Sequence, residues 1–238
     1  MSEVAVAPDV AARAAAVRAR IARAGGDPDA VRLVAVTKGF DAGMVRAALA
    51  AGLVDLGESY VQELVAKAAQ LDDEFDEAPR PRWHFVGRLQ RNKVSKAAPH
   101  VVLWHSVDRL SLGAEIARCA PGASVLVQVN ASGEATKAGC PPLQAPALVD
   151  GLRDLGLDVR GLMTIAPAGP PAGPSAGPAA AARSTFRSVR ELAGELGLVE
   201  LSMGMSGDLE VAVEEGATMV RVGTDLFGPR PDPPGARH

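Results

Sequence analysis

Apolar positions along this chain keep two alternating rhythms. Short, densely apolar runs occur at residues 32–38, 54–59, 82–88, 101–108, 124–130, 159–166, 199–206 and 219–228. They are rich in Val and Leu, and read as strands. Between them the spacing relaxes to that of amphipathic helices, as in "AGMVRAALAAG" (42–52), "YVQELVAKAAQL" (60–71), "LQRNKVSKAA" (89–98), "RLSLGAEIARC" (109–119), "LQAPALVDGLRDLG" (143–156), "AARSTFRSVRELAGELG" (181–197) and "GDLEVAVEEG" (207–216). A further helix is predicted over 9–24, stopped by Gly25-Gly26. Eight strands separated by helices predict an α/β fold, a single (β/α)8 TIM barrel over residues 1–228. The 238-residue length is close to the usual one of about 250. An open doubly wound sheet is the alternative. It would normally need fewer strands, and no GxGxxG follows the first one. No second domain is visible. Residues 229–238, "PRPDPPGARH", read as a disordered tail.

One segment breaks the rhythm. Residues 166–183, "APAGPPAGPSAGPAAAAR", are low-complexity Pro, Gly and Ala, which read as a loop after the sixth strand: either an active-site lid or a neutral insertion.

Composition narrows the class. Hydrophobic content of 47% is enough for a full core. With only 3% aromatics, that core must be built from Ala, Val and Leu. A net charge of −3 argues against nucleic-acid binding as the main task. Cys119 and Cys140 are too few for a disulfide framework and form no CxxC metal pair. The first residues show no secretory pattern, and no window suits a membrane span, so a soluble cytoplasmic protein is expected.

Candidate chemistry collects at the strand ends. The chain has five lysines: Lys38, Lys67, Lys93, Lys96 and Lys137. Lys38 closes the first strand on the face of Val34 and Val36. If the valines point inward, it reaches the C-terminal mouth, where barrel enzymes place their chemistry. Burial disfavours the charged form, and a neutral amine can attack an aldehyde or ketone; a lysine snorkelling to solvent is the alternative. The loops "SMGMSGD" (202–208) and "RVGTDLFG" (221–228) lie after strands seven and eight, where barrels often bind phosphate. Ser206 and Thr224 offer hydroxyls, Gly204, Gly207 and Gly223 allow close backbone approach, and Asp208 reads as a helix N-cap. Ordinary strand-to-helix turns use the same residues. Arg221, in the middle of the eighth strand, needs a partner inside the barrel, whether structural or a ligand atom. His84 and His105 either line the cavity or are satisfied core histidines. Arg88, Arg91, Lys93 and Lys96 form a basic run that reads as a solvated face or an anion-docking patch. Lys137, after strand five, is a second candidate for handling an aldehyde, or a plain loop lysine.

A lysine on strand one with phosphate loops after strands seven and eight suggests a phosphorylated aldehyde cofactor, and pyridoxal 5′-phosphate (PLP) fits. With "GESYVQE" (57–63), "WHFVGRLQRNK" (83–93), "HSVDR" (105–109), "QVNASGEATKAGC" (128–140), "GLMTIAP" (161–167) and "LSMGMSGDLEVAVEEGATMVRVGT" (201–224) in order, the chain closely resembles the PLP homeostasis protein family over nearly its whole length. The resemblance implies a single alanine-racemase-like barrel that binds PLP through Lys38 as a Schiff base. It implies phosphate binding by Ser206 with the Gly223 and Thr224 backbone, Arg221 facing the pyridine nitrogen, and Met163 near the ring face. Ser59 stands where relatives commonly have Asn; a hydroxyl or a water could replace that contact with the ring.

PLP catalysis uses the ring as an electron sink, strengthened by a protonated ring nitrogen. A guanidinium cannot accept a proton, so Arg221 leaves the sink weak. The similar racemases add bases on both faces, one of them a tyrosine from a second domain. This chain offers one tyrosine, Tyr60, and no second domain. The expectation is a monomeric protein that stores PLP and delivers it, with apo PLP-dependent enzymes as partners, without substantial turnover. A low-activity amino-acid racemase is the alternative, and a cofactor-free Schiff-base aldolase a third class.

Overall fold

Strand β1 (Arg32–Val36) shows how the alternation builds the fold. Leu33 and Ala35 face out into the apolar layer beneath the helices. Val34 and Val36 face in, where both side chains lie against the inner surface of Gly57. Repeated seven times, through β2 (Asp55–Glu58), β3 (Arg82–Phe85), β4 (Val101–Val107), β5 (Ser124–Gln128), β6 (Asp158–Met163), β7 (Glu200–Ser202) and β8 (Met219–Val222), this gives a closed parallel barrel in sequence order. The computed structural model describes residues 9–72, 80–134, 137–167 and 177–231. Closure is direct: β1 pairs with β8, with Val34 beside Arg221. That pairing excludes the open doubly wound alternative.

The helices cover the outside. α1 (Val10–Arg23) precedes the barrel. Asp9 caps it by accepting a 2.9 Å bond from the Ala12 N–H, and Val10, Ala14, Val17 and Ile21 form its buried stripe. The others are α2 (Ala42–Ala50), α3 (Val61–Leu71), α4 (Val94–Ala97), α5 (Leu110–Cys119), α6 (Ala145–Asp154), α7 (Pro178–Glu195), α8 (Leu209–Glu214) and α9 (Thr224–Phe227). Most of the core lies between strands and helices. Inside the barrel a small separate cluster of Leu103, Leu126, Met163 and Met219 fills one layer.

Three expectations are corrected. The apolar runs overstate the strands at their C-terminal ends: β1 stops at Val36, β7 at Ser202 and β8 at Val222. Thr37, Met203 and Gly204, just beyond two of these ends, remain buried, so the pattern persists while the ladder has ended. The Pro/Gly/Ala-rich stretch is shorter as a loop than composition suggests, because α7 begins at Pro178 with proline at its first position; 168–176 lie outside the described residues. Of the tail, Pro229–Pro231 are described and Arg230 reaches the barrel mouth; 232–238 lie outside the described residues.

Candidate functional site

At the C-terminal end of the barrel, residues following β1, β2, β3, β6, β7 and β8 line a cavity of about 330 Å³. Lys38, Ser59, Ser206, Arg221, Gly223 and Thr224 all line it. Six of the eight residues singled out by sequence thus line one cavity, although they span most of the chain. Val36, Phe40, Val86, Ile165 and Met205 supply its apolar surface.

Lys38 is not a strand residue. It occupies the second position of a tight turn, Thr37–Phe40, closed by the Phe40 N–H donating to the Thr37 carbonyl at 3.1 Å. Gly39 follows with φ +79°, the left-handed conformation that this turn type requires at its third position. The turn aims the amine into the cavity. Burial lowers its pKa below the ordinary lysine value; Arg230 and Arg221 add to this, and Glu58 and Glu63 oppose it.

Opposite lies the candidate phosphate seat. Ser206 and Gly207 come from the loop after β7, Gly223 and Thr224 from that after β8. A Cβ on Gly223 would lie 3.2 Å from the Val36 carbonyl oxygen, so glycine lets β8's end sit against β1's. Asp208 does not cap α8; its Oδ1 accepts from the Met205 N–H at 2.6 Å and closes its own loop. The two loops are tied by a residue that the sequence reading passed over. Arg20, on α1, donates to the Ser206 carbonyl (2.9 Å), to both Glu210 oxygens (2.6 and 2.7 Å) and to Asp225. The Asp225 N–H in turn reaches Ser206 Oγ at 3.4 Å. Nothing in a helical Ala/Arg pattern distinguishes this arginine from its exposed neighbours.

Arg221 is buried. Its Nη1 donates to the Ser202 carbonyl (2.7 Å) and Ser202 Oγ (2.8 Å), and its Nη2 to the Thr164 carbonyl (2.9 Å). Among the described residues no carboxylate lies within salt-bridge distance of it, and its Nε–H and second Nη2–H have no protein acceptor. Burial pulls its pKa down to about 10, opposed by Asp208. At neutral pH it is a cation with two spare donors at the cavity floor.

His84 and Met163 are not on the cavity wall. Met163 sits one rung lower, in the inner cluster, and Ile165, two residues on and on the same face, lines the cavity instead. His84 is a satisfied core histidine: its Nε2 is 2.9 Å from Asp55 Oδ1 and its Nδ1 2.8 Å from His105 Nε2. His105 Nδ1 is 2.8 Å from Ser202 Oγ. Burial lowers both histidine pKa values, so both rings are neutral. At Asp55, burial works upward, but the His84 hydrogen bond and the charges of His84, Arg82 and Arg32 hold the carboxyl below its ordinary value. An ionised Asp55 requires the proton on His84 Nε2. The network then assigns the rest: His105 Nε2–H donates to His84 Nδ1, and the Ser202 hydroxyl donates to His105 Nδ1.

The remaining candidates stand apart. Lys137 Nζ donates to the Ala166 carbonyl at 2.6 Å and pairs with Glu134 at 3.3 Å, off the cavity wall. Tyr60 is 53% exposed and does not line the cavity. Cys140 is buried, which pushes its thiol up to about 11, and it carries no nucleophile role. Among the described residues no His/Cys/Asp/Glu group could hold a metal, and no helix is long and apolar enough to cross a membrane.

A family model, alanine racemase N-terminal domain, matches residues 10–231. The pyridoxal phosphate homeostasis protein of Pseudomonas aeruginosa is 46% identical over 232 residues, covering 94% of this chain and 96% of that protein. The human protein of that name is 37% identical over 213 residues, covering 84% and 76%. The structure of PipY from Synechococcus elongatus with PLP bound superposes with a TM-score of 0.78 at 38% identity, over 92% of this chain and all of that one. Alanine racemase of Clostridium difficile shares the fold at 15% identity and TM-score 0.66, with 58% of its chain matched. The chain belongs to the pyridoxal phosphate homeostasis protein family, built on the barrel of the alanine racemase N-terminal domain.

Proposed function

We propose that this protein binds PLP in the barrel-mouth cavity and serves PLP homeostasis, storing the cofactor and delivering it to apo PLP-dependent enzymes, as a cytoplasmic monomer. Lys38 holds the aldehyde carbon as a Schiff base; the amine and aldehyde join and water leaves. Ser206, with the Gly223 and Thr224 backbone, takes the phosphate, Arg221 donates to the pyridine nitrogen, and Ser59 faces the ring edge. When bound, PLP supplies an electron sink to any amino compound joined to it. The observation that carries the reading is the cavity itself: a lysine with a lowered pKa, a Gly/Ser/Thr cradle and a guanidinium with two unclaimed donors face one space.

The same guanidinium supports storage over turnover. Arg221 only donates and cannot accept the N–H of a protonated ring nitrogen, so that nitrogen stays neutral and the sink weak. Tyr60, the sole tyrosine, is turned to solvent and away from the cavity, so the wall offers no phenol as a general base.

The deciding experiment is the absorbance spectrum of the protein with PLP, before and after borohydride, with peptide mapping of the reduced lysine. A pyridoxyl group on Lys38 is expected; one on another lysine, or none, sinks the reading. Chiral analysis after incubation with single-enantiomer alanine or serine tests turnover, and Lys38-dependent racemisation would make the protein an enzyme.

A further inference from the structure

Lys67 is among the least exposed charged side chains in the protein, 5% accessible, although it lies on α3 outside the barrel wall. Its three N–H bonds point one way: to the Thr37 carbonyl at 2.8 Å, to Glu58 Oε1 at 2.6 Å and to Glu63 Oε2 at 3.5 Å. Both carboxylates grip the same turn. Glu58 Oε1 also accepts from Thr37 Oγ1 at 2.7 Å, and Glu63 Oε2 accepts from the Gly39 N–H at 2.7 Å. The residue before Lys38 and the residue after it are therefore both fastened to one Lys–Glu–Glu group, whose Lys67 and Glu58 are buried. The last barrel-wall bond, Thr37 N–H to Gly57 carbonyl at 3.0 Å, comes just before.

We propose that Lys67, with Glu58 and Glu63, is the positioning device for Lys38: it fixes the Thr37–Phe40 turn so that the Lys38 amine meets the aldehyde in attack geometry. The inference rests on the reading that Lys38 captures an aldehyde. Stability is a poor reason for such a group. A buried ion pair must overcome the desolvation of both charges, and an apolar pair of similar volume often serves as well or better. Here the second oxygen of Glu58 is buried with no hydrogen-bond partner among the described residues, so the pair is not even fully satisfied. What the pair does supply is direction. A capture step depends steeply on the placement of the amine, and a bare loop lysine has four rotatable bonds and no preferred aim.

The test compares two ligands differing only at the reacting carbon: PLP, and pyridoxine 5′-phosphate, which has the phosphate and ring but no aldehyde. The variants are Lys67→Met and the double Glu58→Leu/Lys67→Met, which replaces the buried pair by apolar side chains. PLP capture, read as the borohydride-trapped fraction on Lys38 and its rate, should fall by about tenfold or more, the scale set by misplacing a reacting group. Affinity for pyridoxine 5′-phosphate should change by less than about twofold, within the few tenths of a kcal/mol of an uninvolved site. The double variant should melt no lower than Lys67→Met yet stay impaired in capture. Equal weakening of both ligands, unchanged capture, or restored capture in the double variant would overturn the proposal. Should the buried variants not fold, Glu63→Leu, at a partly exposed side chain that no longer accepts from the Gly39 N–H, tests the same pattern. If the unmodified protein traps no PLP at Lys38, the reading of the site itself fails instead.

Discussion

Arg221 and Asp55 stand at the two ends of one unbroken hydrogen-bonded chain that runs through Ser202, His105 and His84 inside the barrel. Every donor in it points the same way, from the guanidinium at the cavity to the carboxylate near the opposite end. The chain works only while both histidines are neutral, because a proton added to either ring would need an acceptor where a donor already points.

This sets a pH dependence of stability. Burial lowers both histidine pKa values in the folded state. The unfolded chain therefore takes up these protons first as pH falls below about 6.5. Stability is full above that value and declines as pH drops from it toward the folded pKa values. Asp55, also lowered, adds a second loss below about pH 4. Thermal melts from pH 8 to 5 should show a flat Tm above neutrality and a fall below about 6.5. In His84→Gln/His105→Gln the midpoint at pH 7 will be lower, but the fall between 7 and 5 should largely vanish. A wild-type Tm that does not fall over that range would contradict the neutral-ring assignment.

Lys38 and Arg230 make a second pair. Burial, then Arg230, then Arg221 lower the Lys38 pKa. The neutral amine is thus present at lower pH than in a free lysine, and PLP capture should proceed with a midpoint below the ordinary value of about 10.4. Replacing Arg230 with Gln removes one cation, so the midpoint should move up and capture near neutral pH should slow. Stopped-flow absorbance across pH reads this directly. A midpoint unmoved or lowered by Arg230→Gln would refute the assigned role of that charge.

Arg20 should govern the phosphate end and leave the aldehyde end alone. Its bonds to Ser206, Glu210 and Asp225 hold the two candidate phosphate loops against α1. For Arg20→Met the expected loss is on the order of tenfold in affinity for PLP and for pyridoxine 5′-phosphate alike, about the value of one charge-assisted hydrogen bond. Binding of pyridoxal, which lacks the phosphate, should barely change. Titration calorimetry with the three ligands separates these outcomes, and a loss for pyridoxal as large as for PLP would show that Arg20 supports the whole barrel mouth.

The parts of this molecule readable in sequence are those that depend on near neighbours. Period-two alternation marks where each strand begins, and Gly/Ser/Thr clusters mark turns that need glycine or a hydroxyl, so the barrel and both ends of its cavity were legible. Strand ends were not, because Thr37 and Met203 stay buried after the ladder stops and so keep an apolar pattern going. Met163 closes β6 and Ile165 follows two residues beyond it on the same face, and the choice between them depends on how deep the cavity reaches, which no local pattern encodes. Arg20, Lys67 and the Asp55–Arg221 chain were invisible for a stronger reason. Arg20 meets Asp225 across 205 positions, and His105 meets Ser202 across 97. Such partners are decided by barrel closure.

That closure has a consequence for how the protein is made. Val34 of β1 lies beside Arg221 of β8, so the two walls of the cavity come from opposite ends of the chain. During synthesis Lys38 emerges from the ribosome long before Ser206, Arg221 or Thr224 exists. On the proposed reading of the site, a nascent chain carries the aldehyde-capturing lysine and nowhere to seat a phosphate. On that reading cofactor retention begins only when the last strand docks against the first, which would make possession of PLP a mark of a finished molecule.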